Sequence, residues 1–210
     1  FKAWYYCQAT RGNMKLEPVS LNKGMVVGVT TLTDVVIRNN GMAETGDITL
    51  ALPQLNWLSL AGDTNVIPSL LPGQTAAVTL RLTPGAELPL NHPITGQIAL
   101  TAPNANGVAL PFVFEPISVE TGSLLVDVVN EYTFLTDEAP HLEGASVVLT
   151  HPYTGQVIAQ GVSDANGHFL ANEINEGYYN LRVQAPRHNG FYGLIYIEKG
   201  RQNNEEVFLG

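Results

Sequence analysis

The sequence predicts an all-β chain built from two β-sandwich modules in tandem. Three observations predict the fold class. Strand-length runs with period-two alternation recur along the 210 residues. Gly, Pro, Asn and Asp bound these runs, and 20 Gly and 13 Pro are available to do so. No long segment carries the i, i+3, i+4 spacing of an amphipathic helix. A hydrophobic share of 45% supplies material for real cores, and 14% charged residues is too little for a disordered chain.

Residues 1–10 (FKAWYYCQAT) are aromatic and apolar and read as a strand, either of the first module or for pairing with another chain. Residues 14–21 open the first module proper. In residues 28–38, Val29, Thr31, Thr33, Val35 and Ile37 share one face. Asn39, Asn40 and Gly41 read as a turn. Residues 47–52 form a strand closed by Pro53, and Trp57 reads as a core anchor. Leu71, Pro72, Gly73 and Gln74 lead into a strand whose Val78, Leu80 and Leu82 face one way. Residues 95–101 and 108–114 complete a set at sandwich spacing.

These residues carry a resemblance. Leu16, Pro18 and Ser20-Leu21, then Val35, Ile37, Asn39 and Gly41, then Trp57-Leu58, then Leu70, Pro72-Gly73-Gln74, Val78, Leu80 and Leu82 match a recurrent pattern. It is similar to that of immunoglobulin-like modules of large bacterial surface and scaffold proteins. The departure is Asn56 where that pattern has Pro before Trp. The resemblance implies a spacer and chooses no ligand.

The seam is expected within residues 115–122 (EPISVETG), giving modules at 1–118 and 119–210 with a short, semi-rigid connection. Leu124, Val126 and Val128 begin the second module, and residues 130–141 form a polar loop. Ala145, Val147 and Leu149 alternate with polar or outward residues. Pro152 to Gly155 turn the chain, and residues 156–160 return as a hairpin arm. Residues 163–167 (SDANG) are the strongest turn signal, because Asp and Asn bond their own backbone and Gly accepts positive φ. Phe169 then anchors a strand. Tyr179, Leu181, Val183 and Ala185 alternate in the next, and residues 191–197 and 205–209 are the last strands.

Gly144-Ala145, Val147, Leu149, Thr154-Gly155, Gly161, Ser163-Asp164, Gly167, Phe169, Gly177, Tyr179, Leu181 and Val183 fit a pattern of the form GA-x-V-x-L, TG, G-x-[ST]-D-x-x-G-x-F, G-x-Y-x-L-x-V. This second half resembles carboxypeptidase regulatory, or transthyretin-like, domains. That family serves as an accessory module on enzymes, transporters and adhesins, so the resemblance implies a fold more than a function.

Formal net charge is −9, with six Lys/Arg against seven Asp/Glu in residues 1–118 and four against twelve in residues 119–210. An acidic second half disfavours nucleic acid and anionic lipid, and no segment reads as a membrane span. The one cysteine, Cys7, excludes an intrachain disulfide, and its aromatic neighbours predict a buried thiol.

Histidines 141, 151, 168 and 188 fall in the second half, and three of them, His141, His151 and His168, sit beside Pro or Gly turn residues as exposed loop side chains would. No His-x-x-x-His pair, nucleophile elbow, Walker or dinucleotide glycine motif is present, so no catalytic or cofactor-binding residue is nominated. The weak metal candidates are calcium ligands: Asp127, Glu131, Asp137, Glu138 and Glu143 around one loop, and Asp164 with Asn166 in another. Lys199, the only lysine of the second half, stands in a turn, so the Lys–Asn isopeptide of collagen-adhesin repeats is not expected. Tyr132, Phe134, Tyr153, Tyr178, Phe191 and Tyr192 are candidates for stacking on glycan.

The expectation is a non-catalytic structural or spacer segment of a large extracellular, bacterial surface or adhesion protein, whose partners are neighbouring domains of a longer chain or copies of itself. Two alternatives stand beside it. One is a self-assembling fibre subunit that pairs through residues 1–10. The other is an accessory module that binds a glycan or a protein.

Overall fold

A computed structural model describes residues 10–133 and 141–210. The 1–10 strand, apart from Thr10, and with it Cys7, lies outside the described residues, as do Phe134, Asp137 and Glu138. The described chain is all-β, with no helix among the described residues. It divides into two compact units, Phe1–Ala86 with Ile94–Phe114, and Glu87–Pro93 with Glu115–Gly210.

The first unit contains β1 (Met14–Glu17), β2 (Leu21–Val26), β3 (Thr31–Asn39), β4 (Ile48–Ala51), β5 (Leu58–Leu60), β6 (Val66–Ile67), β7 (Thr75–Leu82), β8 (Ile94–Thr101) and most of β9 (Val108–Ile117). They form a four-stranded sheet in the order β1-β3-β7-β5 and a five-stranded sheet in the order β2-β9-β8-β4-β6. Alternation makes each strand two-faced. Thr33, Val35, Ile37 and Asn39 of β3 are buried, while Leu32, Asp34 and Arg38 are exposed. The two inner faces pack together, leaving between Val35 and Leu80 on one side and Leu100 and Leu110 on the other a void of only about 10 Å³. Trp57 packs edge-on against Phe112 and Phe114, with ring centroids at 6.4 and 5.9 Å. Such aromatic pairs add about 0.5–1.5 kcal/mol beyond their buried area.

Asn39 corrects an expectation. It does not belong to the turn but ends β3, with its side chain fully buried. Its Nδ2 donates to Ala43 O at 2.8 Å and to Leu70 O at 2.9 Å. Its Oδ1 accepts from the amides of Asn13 at 3.0 Å and Gly41 at 2.9 Å. The turn begins one residue later, and Asn39 ties its backbone to two other segments.

The second unit contains β10 (Thr121–Asn130), β11 (Ser146–Thr150), β12 (Val157–Val162), β13 (His168–Asn175), β14 (Gly177–Gln184), β15 (Phe191–Ile197) and β16 (Gln202–Leu209). A three-stranded sheet, β13-β10-β16, faces a four-stranded one, β12-β11-β14-β15. Leu124, Val126, Val128, Ala145, Val147, Leu149, Leu181 and Val183 have no exposed surface and form the centre of its core. Phe169 closes it on one side, and a side-chain carbon at Gly161 would stand 2.6 Å from the Phe169 ring. That contact explains why the pattern pairs a glycine with this aromatic.

The first and last strands of this unit are neighbours. β10 and β16 run parallel in unbroken register from Ser123 with Gln202 to Asn130 with Leu209. Asn203 Nδ2 donates to Ser123 O at 3.0 Å and pins the start of that ladder. Among the described residues, all other strand pairs of this unit are antiparallel.

Candidate functional site

Two places in the second unit gather side chains with chemical potential. The first is a cavity of about 350 Å³ bounded by the segment Glu87–Pro93 and by side chains of the β11–β12 turn, β14 and β15. Asn91 builds its wall. Its backbone has φ of 55°, a conformation Asn adopts more readily than other non-glycine residues. Its amide N–H donates to Pro116 O at 2.8 Å, and its Nδ2 donates to Tyr178 O at 3.1 Å. Gly177 makes this approach possible, because a side-chain carbon there would lie 2.5 Å from Asn91 Nδ2.

His92 and Tyr153 face each other edge-on at 5.0 Å between centroids, with the Tyr153 hydroxyl hydrogen-bonded to His92 Nδ1. His151 fixes the turn that carries Tyr153. Its Nδ1 accepts from the amides of Tyr153 at 3.4 Å and Thr154 at 3.2 Å, and its Nε2 lies 2.7 Å from Glu115 Oε1 without hydrogen-bond geometry. With its side chain only 12% exposed, His151 is not the solvent-facing loop histidine its neighbours suggested. The turn folds over it and uses its ring as an internal acceptor.

The outward face of β14 and β15 continues from this cavity. Tyr178 stands opposite Tyr196 in register, with ring centroids 4.9 Å apart. Leu194, Tyr192 and Tyr196 alternate outward along β15, all exposed, while Gly193, Ile195 and Ile197 turn away from that face. Glu176 caps the row. It accepts from Tyr196 Oη at 3.0 Å and from Ser118 Oγ at 3.1 Å, and it pairs with Lys199 Nζ at 3.5 Å. Burial, and then the Glu176 carboxylate, push the Tyr196 phenol up to about 12. Burial also raises that of Tyr179, whose hydroxyl donates to Asn175 O at 2.8 Å.

The second place is Asp127, on β10. Its Oδ1 lies 2.7 Å from His141 Nδ1 and 3.9 Å from His168 Nε2, and the two imidazoles are 6.1 Å apart. The other metal candidates are occupied differently. Asp164 Oδ1 accepts from the amides of Asn166 at 2.8 Å and His168 at 2.9 Å, closing the turn in which Gly167 has φ of 78°. Those two backbone bonds, His168 first, hold the Asp164 carboxyl below the usual carboxylate range. Glu131 is exposed and its amide donates to Leu209 O at 3.1 Å, while Glu143 is exposed beside Gly144. Among the described residues, no group of three or more His, Cys, Asp or Glu has a metal-holding arrangement.

Of the aromatic candidates, Tyr153, Tyr178 and Tyr192 lie on the cavity or the face beside it. Tyr132 is 77% exposed and stands apart on the β10 turn, and Phe191 packs against the core. The residues not anticipated are His92, Asn91, Leu194 and Tyr196. Period-two alternation along residues 191–197 puts Tyr196 on the same face as Tyr192 and was sufficient to find it. Nothing local in residues 87–93 signals that they pack with the second unit.

No family model matches the chain, and no curated protein does. Solved structures do match at low scores. BcpA, the major pilin subunit of Bacillus cereus, is 11% identical with a TM-score of 0.37, covering 97% of this chain and 71% of that one. The minor pilin GBS52 of Streptococcus agalactiae is 14% identical with a TM-score of 0.37, covering 80% and 84%. The PapD-like domain 7 of human CEP192 is 8% identical with a TM-score of 0.40, covering 57% and 99%. Scores at this level decide neither a family nor a function.

Proposed function

We propose that the chain is a non-catalytic structural segment of an extracellular fibre or surface protein, and that its second unit resists tension along the chain. The observation that carries this reading is the parallel pairing of β10 with β16. Tension on the two ends of the unit pulls β10 toward its N-terminus and β16 toward its C-terminus. The strands are parallel neighbours, so the two pulls oppose each other along the strand axis. The ladder from Ser123–Gln202 to Asn130–Leu209 is therefore sheared as a set rather than opened bond by bond. The apolar inner side of β10, with Leu124, Val126 and Val128 fully buried, has to slide out of the core at the same step.

The transthyretin-like reading of the second unit belongs to this proposal. It is supported by the positions its pattern residues take, with Val147, Leu149, Leu181 and Val183 in the core and Gly144, Gly155 and Gly167 at positive φ in turns. Fibre assembly through residues 1–10 is a finer alternative, and those residues, Thr10 aside, lie outside the described ones.

The test is single-molecule pulling of the second unit in two directions. Handles at its two ends load β10 against β16 in shear. Handles at the open end of the β14–β15 hairpin, by Gly177 and Ile197, peel an antiparallel pair bond by bond. The expected result is a clearly higher rupture force for the first geometry. Equal or lower force end to end would remove the reason for assigning a mechanical role.

A further inference from the structure

We infer that the cavity beside Asn91 and Tyr178 is a binding site for a neutral saccharide, a role that goes beyond tension resistance and does not depend on it. Its volume of about 350 Å³ falls at the small end of the range for ligand pockets, roughly 300–1,000 Å³. That size suits one or two sugar rings rather than a large cofactor. Its lining includes the rings of Tyr153, Tyr178 and His92, the Asn91 amide, and apolar surface from Pro89 and Leu194.

The chemistry of this lining selects the class of ligand. None of its side chains is an Asp, Glu, Lys or Arg, so neither a cationic nor an anionic ligand finds a counter-charge there. Residues 119–210 carry twelve Asp/Glu against four Lys/Arg, which disfavours an anion further. What is offered is a set of flat aromatic surfaces beside a few neutral hydrogen-bonding groups. A sugar ring has the matching composition, with C–H groups on one face and hydroxyls around the edge. Among the described residues the Tyr178 hydroxyl has no hydrogen-bond partner in the protein, whereas that of Tyr196 is bound to Glu176. Tyr178 therefore keeps both a ring face and a free hydroxyl for a ligand. The wall is also fixed in advance, since Asn91 is held by Pro116 O and Tyr178 O, and the Tyr153 turn is held by His151. A fixed wall lowers the ordering cost of binding.

The experiment is amide chemical-shift mapping on the isotope-labelled 210-residue chain. The probes are glucose, N-acetylglucosamine, cellotetraose, chitotriose and a proline hexapeptide, each titrated into the millimolar range. The expected result is saturable shifts for at least one saccharide at Asn91, His92, Tyr153 and Tyr178. Tyr178→Ala is expected to weaken that binding roughly three- to tenfold, the worth of one aromatic contact. Tyr178→Phe keeps the ring and loses the hydroxyl, so its affinity is expected to fall between those of wild type and Tyr178→Ala, which guards against a folding effect of the alanine variant. Tyr132→Ala, remote on its turn, leaves the affinity unchanged. Three outcomes overturn the inference: no saccharide shifts those amides, the shifts persist undiminished in Tyr178→Ala, or only the proline peptide saturates the site.

Discussion

Replacing Asn39 by Ala removes four hydrogen bonds from the first unit in one step. One of them, to Leu70 O, is fully buried, and those to Ala43 O and from Asn13 N and Gly41 N are partly so. A typical intramolecular hydrogen bond contributes about 1 kcal/mol net, and a buried group left unpaired costs about 1–3 kcal/mol. If the four groups stayed dry, the loss would reach about 4 kcal/mol or more on that scale. Water entering the vacated space can satisfy the three partly buried ones, which brings the expected loss to roughly 2–4 kcal/mol. For a unit of this size each kcal/mol moves the melting temperature by about 4–8 °C, so a drop on the order of 10–30 °C is expected. Calorimetry and urea unfolding of wild type, Asn39→Ala and Asn40→Ala measure it. Asn40 is exposed and serves as the control for local turn propensity. Asn39→Asp adds a pH signature. It keeps an acceptor for the Asn13 and Gly41 amides but aims a carboxylate at two carbonyls, so it is least stable at neutral pH and recovers as the pH falls and the carboxyl protonates. An Asn39→Ala loss below about 0.5 kcal/mol, within the range of ordinary surface substitutions, would refute the view that this side chain fastens three segments together.

Three further outcomes are expected. Gly177→Ala brings a carbon to 2.5 Å from Asn91 Nδ2 at a φ of 153°, and a loss of roughly 1–3 kcal/mol in urea melts is expected, whereas a neutral effect would contradict the close approach. Tyr196 has its phenol raised from 10.0 to about 12 by burial and then by Glu176, so the fold favours the neutral phenol; that stabilisation is complete below pH 10 and is lost as the pH rises through about 12. Ultraviolet difference titration of wild type against Tyr196→Phe isolates this phenol, and a component near the ordinary tyrosine range would count against the assignment. Asp164 has a lowered carboxyl, so its contribution is present above its ordinary value of 3.8 and is lost as the pH falls through the lowered one. The stability gap between wild type and Asp164→Ala is therefore expected to be widest at neutral pH and to narrow as the pH falls through the lowered value, while the gap between the two non-titrating variants Asp164→Asn and Asp164→Ala stays constant with pH in the same unfolding measurements.

The repeating part of this fold was legible because strands with one buried face write their burial in period two. Ala145, Val147 and Leu149, or Val35 and Ile37, each point inward as their spacing requires. The Ser163 to Gly167 turn was legible for a different reason, since Asp164 closes it by bonds to its own neighbours. Asn39 lies in β3 rather than in the turn its sequence suggests, because the same residue type serves as a turn former or as a buried clamp. What separates the two is whether carbonyls such as Leu70 O, 31 residues away, arrive at its amide. The cavity was illegible for the same reason of distance. Asn91 and Tyr178 meet across 87 residues, and neither carries a local mark of the other. Tyr196 is legible only by strand face, since it shares with Tyr192 and Leu194 the outward side of β15.

The Asn203–Ser123 hydrogen bond joins residues 80 apart, and the β10–β16 ladder closes only when the end of that span is present. During synthesis at about 5–20 residues per second, β10 thus leaves the ribosome on the order of ten seconds before its last partner. β13 covers one of its edges earlier, because it precedes β16 in the chain. The other edge, along a strand whose Leu124, Val126 and Val128 are destined for the interior, stays open for that interval. The time at which this unit is most prone to pair with a foreign strand is therefore set by the translation of residues 202–209, and slowing translation before them would lengthen the hazard without changing the finished fold.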